Sequence, residues 1–180
     1  MGDAGLIRAA RSHLAIVDVQ ARLAPAMADF AAAEANLRRL IAAARLLDVP
    51  ITVTEQYPKG LGPTIDSLAE AGPALAKMTF SCFRDEAIRE RLLGEHRDLV
   101  LCGIEAHVCV LQTALDGLID GQRVIVVADA VASRTTANKA AGLQRAAAAG
   151  AVIATTEMVL FEWLERAGTE AFRAVSRLLR

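Results

Sequence analysis

The sequence predicts an α/β protein, a three-layer α-β-α sandwich built on a doubly wound, mostly parallel six-stranded sheet of Rossmann-like type. Three observations carry that expectation. Aliphatic runs of strand length recur along the chain, and stretches of helical periodicity separate them, the alternation that builds a parallel sheet with helices on both faces. The runs are apolar nearly throughout, as strands covered on both faces must be. At 180 residues and 54% hydrophobic, the chain is long enough for one substantial core and short for two, so one domain over 1–180 is expected.

The first strand is expected at His13–Val19, an aliphatic run interrupted by Asp18. In FAAAEANLRRLIAAARLLDVP the residues Leu37, Leu40, Ile41, Ala44 and Leu47 share one helical face, and Pro50 prevents continuation. A second strand follows at Val49–Thr54. After it comes the longest irregular stretch, EQYPKGLGP (Glu55–Pro63), on the strand's C-terminal side, where open α/β sheets place their ligands. Thr64–Ala71 is weakly helical, and a short strand is expected around Ala76–Phe80. Further strands are expected at Asp98–Gly103, Arg123–Ala128 and Ala151–Thr155. From about Val108, the spacing of Leu111, Leu115 and Leu118 marks a helix. The final segment, EAFRAVSRLLR, is suited to packing on this domain or on a neighbouring subunit.

Composition excludes several classes. Twenty basic and twenty-one acidic residues leave a net charge of −1 without blocks of one sign, so neither nucleic acid nor a membrane surface is an expected partner. Cys82, Cys102 and Cys109 fit neither a C-x-x-C site nor a disulfide framework, which points to free thiols in a reducing compartment. The N-terminus does not read as a signal peptide, and no run approaches the roughly 20 apolar residues of a membrane span. A cytoplasmic protein is expected. The turn after the first strand, DVQARLAP, contains no glycine, and neither phosphate-binding glycine loop is present, so no nucleotide cofactor is expected. His13, His96 and His107 are unpaired at metal-ligand spacings, so no metal is expected either. His96, in GEHRD, suits a solvated loop.

Cys109 falls within the first turn of a helix that follows a buried strand. Unpaired N–H groups and the positive end of the helix dipole would favour a thiolate there and could receive an oxyanion. The same position also suits a small buried hydrophobe, as Cys102 does in mid-strand. A nucleophile needs a base, and Asp18 and Lys77 lie at the ends of other expected strands. Singly, Asp18 suits a turn or cap and Lys77 a solvated position; jointly with Cys109 they can converge on one crevice.

In order along the chain, AIVDVQ, LLDVPITVTEQYPKGLGPT, AKMTFSCF, LVLCGIEAHVCVLQTALD and VIVVADAVASR resemble the isochorismatase-like cysteine hydrolase superfamily, most closely its small isochorismatase-domain proteins, over roughly residues 13–160. The resemblance implies an Asp18–Lys77–Cys109 triad, a non-proline cis peptide at Ile104–Glu105, and oxyanion donors on the backbone N–H groups of Glu105 and Cys109. It places Glu55, Gln56 and Tyr57 on the rim and His107 beside the cysteine; Tyr57 suits a packing or oligomer contact equally. It also implies a homo-oligomer. The nicotinamidase branch binds a metal through an aspartate and histidines after the second strand, whereas TEQYPKG has no histidine. The isochorismatase branch proper lacks the cysteine and cleaves a vinyl ether.

The expected function is therefore a cysteine-dependent hydrolase of a small amide or related acyl compound. The alternatives are a small-molecule-binding or scaffold protein without turnover, and a thiol redox protein using Cys109, for which Cys102 is the candidate partner.

Overall fold

The computed structural model describes residues 5–94 and 98–179, so His96 lies outside the described residues. Six strands form one sheet: β1 (Ser12–Val17), β2 (Ile51–Gln56), β3 (Ala74–Lys77), β4 (Asp98–Ile104), β5 (Arg123–Ala132) and β6 (Val152–Ala154). Their order is β3-β2-β1-β4-β5-β6, and every ladder is parallel. The helices are α1 (Phe30–Leu46), the single turn α2 (Pro58–Leu61), α3 (Glu86–Leu93), α4 (Leu111–Ile119), α5 (Thr136–Ala148), α6 (Thr156–Leu164) and α7 (Glu170–Leu178). The weak helical piece after the second strand is a 3-10 segment, Asp66–Ala71.

Alternation of side chains along each strand sorts the core into two layers. Leu14 and Ile16 of β1, Val100 and Cys102 of β4, and Ile125 and Val127 of β5 face a layer with Leu37, Leu40 and Ile41 of α1, Val159, Leu160 and Trp163 of α6, and Val175 of α7. Their neighbours Ala15 and Val17, Leu99 and Leu101, and Val124 and Val126 face the opposite layer, with Ile88 and Leu92 of α3, Leu111 and Ala114 of α4, and Ala146 of α5. Cys102 and Cys109 therefore belong to different layers.

Side-chain caps fix where four helices begin: Asp85 accepts from Ile88 N, Thr135 from Asn138 N, Thr155 from Met158 N and Thr169 from Phe172 N. Each such cap is worth about 1 kcal/mol.

The other strands fall within two residues of the expected bounds, β2 running to Gln56 rather than Thr54, and two strands differ more. β3 is Ala74–Lys77 rather than Ala76–Phe80, so Lys77 ends the strand. β5 continues to Ala132, past the Ala128 expected. Asp129 does not break it, because its carboxylate accepts the Thr156 backbone N–H (2.7 Å) and hydroxyl (2.9 Å), giving the acid local partners. The β4–β5 register slips between Leu101 and Gly103 to absorb the added length. Gly103, at φ 124°, sits where a Cβ would collide with the Val17 backbone, so β1 and β4 approach each other only through glycine. Among the described residues no helix is long and apolar enough to cross a membrane.

Candidate active site

The strand order reverses direction between β1 and β4, and a crevice at the C-terminal ends of strands on either side of such a switch is the usual ligand position in open α/β sheets. Asp18 follows β1 directly and Lys77 is the last residue of β3. Cys109 lies in a single π-helical turn, Ala106–Val110, between β4 and α4.

Lys77 must reach across β2 to meet Asp18, and it does so fully buried: its side chain is 0% exposed and that of Asp18 1%. Lys77 Nζ lies 2.7 Å from Asp18 Oδ2 and donates to Gln56 Oε1 at 2.8 Å; the Phe80 and Thr79 carbonyls lie at 3.1 and 3.2 Å. The other Asp18 oxygen accepts from the Thr54 hydroxyl at 2.8 Å. A buried ion pair is tolerated only when its spare donors and acceptors are matched in this way. Asp18 itself adopts a left-handed conformation, φ 55°, which aspartate accepts more readily than most residues.

The Cys109 thiol is buried, and the Asp18 carboxylate and Lys77 ammonium both act on it electrostatically. Burial pushes its pKa up, the Asp18 carboxylate pushes it further the same way, and Lys77 opposes both. This corrects the expected lowering at a helix start: desolvation and an adjacent carboxylate outweigh the dipole, so the sulfur rests protonated beside a base. A second thiol shares the pair. Cys82 Sγ lies 3.9 Å from the Thr54 hydroxyl, and burial raises its pKa to about 11, with Lys77 lowering and Asp18 raising it. Cys102, the candidate partner in the redox alternative, is buried in mid-strand as expected and directs its sulfur to the Ala15 carbonyl, 3.5 Å away.

The Ile104–Glu105 peptide is trans, contrary to the expected cis bond; no peptide bond among the described residues is cis. The chain turns this corner with positive φ at Gly103 (124°) and Glu105 (56°) instead. The Glu105 carbonyl then accepts Val108 N at 2.8 Å and Val110 N at 3.4 Å, so Glu105 and Cys109 bracket one compact turn. Gly142 of α5 packs directly on it: a Cβ there would lie 2.9 Å from both the Ala106 carbonyl oxygen and His107 Cα. His107, half-buried, pairs its Nδ1 with Ser133 Oγ at 3.0 Å.

The rim residues divide. Gln56 is buried and joins the site by accepting from Lys77, while its amide nitrogen donates to the Met78 carbonyl at 2.9 Å. Glu55, one residue earlier, is drawn away: its Oε1 accepts the Thr64 N–H (2.6 Å) and hydroxyl (2.8 Å), closing the Glu55–Pro63 loop. Tyr57 is 48% exposed, with its ring against Gly60. Sequence reasoning passed over Gln20, which is fully buried. Its Oε1 accepts Gln56 N at 2.8 Å and its Nε2 donates to the Gln56 and Gly62 carbonyls at 3.0 and 2.7 Å. The only signal for it was an amide just after the strand in AIVDVQ. Thr54, Cys82, Ser133 and Arg134 were likewise unassigned. Among the described residues no group of three or more His, Cys, Asp or Glu side chains is placed to hold a metal ion.

A six-stranded, all-parallel, doubly wound sheet of this order is the fold of the isochorismatase-like hydrolases. The Isochorismatase domain matches residues 12–158, and the chain belongs to that family. It is 35% identical to isochorismatase domain-containing protein 2 of Danio rerio, over 99% of this chain and 92% of that one. The MAR1 ribonuclease structure from Caenorhabditis elegans superposes with a TM-score of 0.92 at 36% identity, covering 97% of this chain and 92% of that one. The secreted isochorismatase effector Isc1 of Phytophthora sojae is 39% identical over 78% of this chain and 71% of its own.

Proposed function

We propose that this chain is a cysteine-dependent hydrolase of a small amide or related acyl compound, acting through a thioester. One observation carries the reading: the Asp18 carboxylate is held 2.7 Å from a buried ammonium and acts electrostatically on the buried Cys109 thiol. Asp18 takes the thiol proton as sulfur attacks the carbonyl carbon, and Lys77 holds the carboxylate in place throughout. The carbonyl oxygen becomes an oxyanion, received by the backbone N–H groups of Glu105 and Cys109. Asp18 returns the proton to the departing amine as the C–N bond breaks. Water, deprotonated by Asp18, then attacks the thioester; the acid leaves, and Cys109 recovers its proton from Asp18.

The worm relative's name raises a rival, cleavage of RNA. The enclosure of Asp18, Lys77 and Cys109 favours a small compound over a polynucleotide. The test is a screen of small amides, imides and one RNA oligonucleotide against the wild type and Cys109→Ser. Amide turnover that disappears in the variant is the expected result. RNA cleavage alone, or turnover unchanged by the substitution, overturns the proposal.

We also propose a homo-oligomer in a reducing compartment. Met78 and Phe80, 70% and 52% exposed beside the site, are apolar surface that a second copy would cover, and the three cysteines are free thiols. The Escherichia coli YcaC structure, 21% identical, is described as an octameric hydrolase.

A further inference from the structure

We propose that the Ser133–Arg134 dipeptide, directly after β5, is a two-pronged clamp on the turn that carries the oxyanion donors, and that Arg134 is a positioning residue for acyl transfer acting through Glu105; this rests on the oxyanion role proposed above. Arg134 Nε donates to Glu105 Oε1 at 2.7 Å. Ser133 Oγ holds His107 Nδ1 at 3.0 Å, two residues further along the same turn. The clamp's own base is fixed, since the Ser133 carbonyl accepts Ala28 N at 2.9 Å and Thr135 caps α5.

The energetics locate the effect in the turn rather than in global stability. The Arg134 side chain is 61% exposed, so the pair adds little to folding. Glu105 is different: its side chain is 8% exposed, and Oε2 is buried without a hydrogen-bond partner, with only His107 Nδ1 at 3.5 Å. Its carboxylate therefore relies on Arg134 for its one charge-assisted hydrogen bond. Glu105 also holds φ 56°, a conformation that a side chain other than glycine keeps only when its surroundings impose it. Releasing the carboxylate frees it to seek solvent and rotates the backbone that aims the Glu105 and Cys109 N–H groups.

Two probes of Cys109 separate this role from a structural one. Acylation by p-nitrophenyl acetate develops an oxyanion; alkylation by iodoacetamide displaces iodide and develops none. In Arg134→Ala the acylation rate is expected to fall about tenfold to a hundredfold, short of or up to the loss of one whole oxyanion donor, with alkylation changed less than about twofold. Arg134→Lys should recover part of the loss, and Arg134→Ala should add little in a Glu105→Gln background. Acylation unchanged in Arg134→Ala, or both reactions slowed in parallel, overturns the clamp. A wild type that alkylates at Cys109 but is never acylated overturns the oxyanion assignment, and the clamp with it.

Discussion

Lys77 and Asp18, 59 residues apart in the chain, meet at 2.7 Å with both charged groups shut away from solvent. An ion pair so enclosed is costly to form and more costly to break, because removing one partner strands the other charge in a poor dielectric. Lys77→Met should therefore destabilise the protein by about 3–5 kcal/mol. The double variant Asp18→Asn/Lys77→Met should recover most of that in urea unfolding while remaining inactive. A single variant as stable as the wild type would show that the pair is not buried as described.

Protonation of the thiols gives a stability profile with a definite sign. Folding raises Cys82 from an ordinary 9.0 to about 11, and it raises Cys109 and Cys102 in the same direction. A raised thiol pKa means that the folded state holds its proton longer than the unfolded chain does. The associated stabilisation is complete below the unfolded value and is lost as pH climbs through the folded one. Stability should fall from about pH 9 upward, and Cys82→Ala should lessen the part of that fall between about pH 9 and 11 without abolishing it; a midpoint constant across this window refutes the assignment.

The Asp18 carboxylate acts on Cys109 electrostatically. Asp18→Asn removes a negative charge that raises the thiol pKa and leaves Lys77, which lowers it. The pH profile of iodoacetamide alkylation at Cys109 should move toward lower pH in this variant even as acyl turnover is lost. Movement in the alkaline direction would place the carboxylate elsewhere.

Gln56 fixes one face of the ammonium. In Gln56→Leu the Lys77 ammonium keeps Asp18 but loses the acceptor at 2.8 Å, costing about 1.5–3 kcal/mol as a hydrogen bond to a charged group. Turnover should fall with little change in KM if Gln56 positions Lys77, whereas a rise in KM alone would make it a substrate contact.

Gly103 allows no side chain. Gly103→Ala combines a left-handed φ of 124° with a Cβ driven into the Val17 backbone, and about 3 kcal/mol or more should be lost. Unfolding measurements showing a milder effect would mean that β1 and β4 part more readily than their ladder suggests.

How much was legible in the sequence follows the range of the interactions. The alternation of apolar strands with helices, the helical face of Leu37, Leu40 and Ile41, and the placement of Cys109 after β4 are local patterns, and they survive in the structure. Asp18, Lys77 and Cys109 were legible as candidates because an acid, an amine and a thiol stood where apolar runs ended. Arg134 and Gln20 were not, because a polar residue after a strand has no local signature of its partner; Glu105 lies 29 residues from one and Gln56 36 residues from the other. Glu55 and Gln56 show the converse: adjacent side chains of a strand point to opposite faces, so one meets Lys77 and the other a loop threonine. The thiol's protonation also lay beyond a one-dimensional reading, since burial outweighed the helix start.

Because β3 is the outermost strand on its side of the sheet and spans only four residues, the ammonium is delivered by a short edge strand, which frays more readily than the strands inside the sheet. Loosening that margin would disarm the carboxylate without disturbing the other five strands. On gentle warming, then, chemical competence should fade before the fold does, and a neighbour resting against Met78 and Phe80 would keep the enzyme working as well as hold the assembly together.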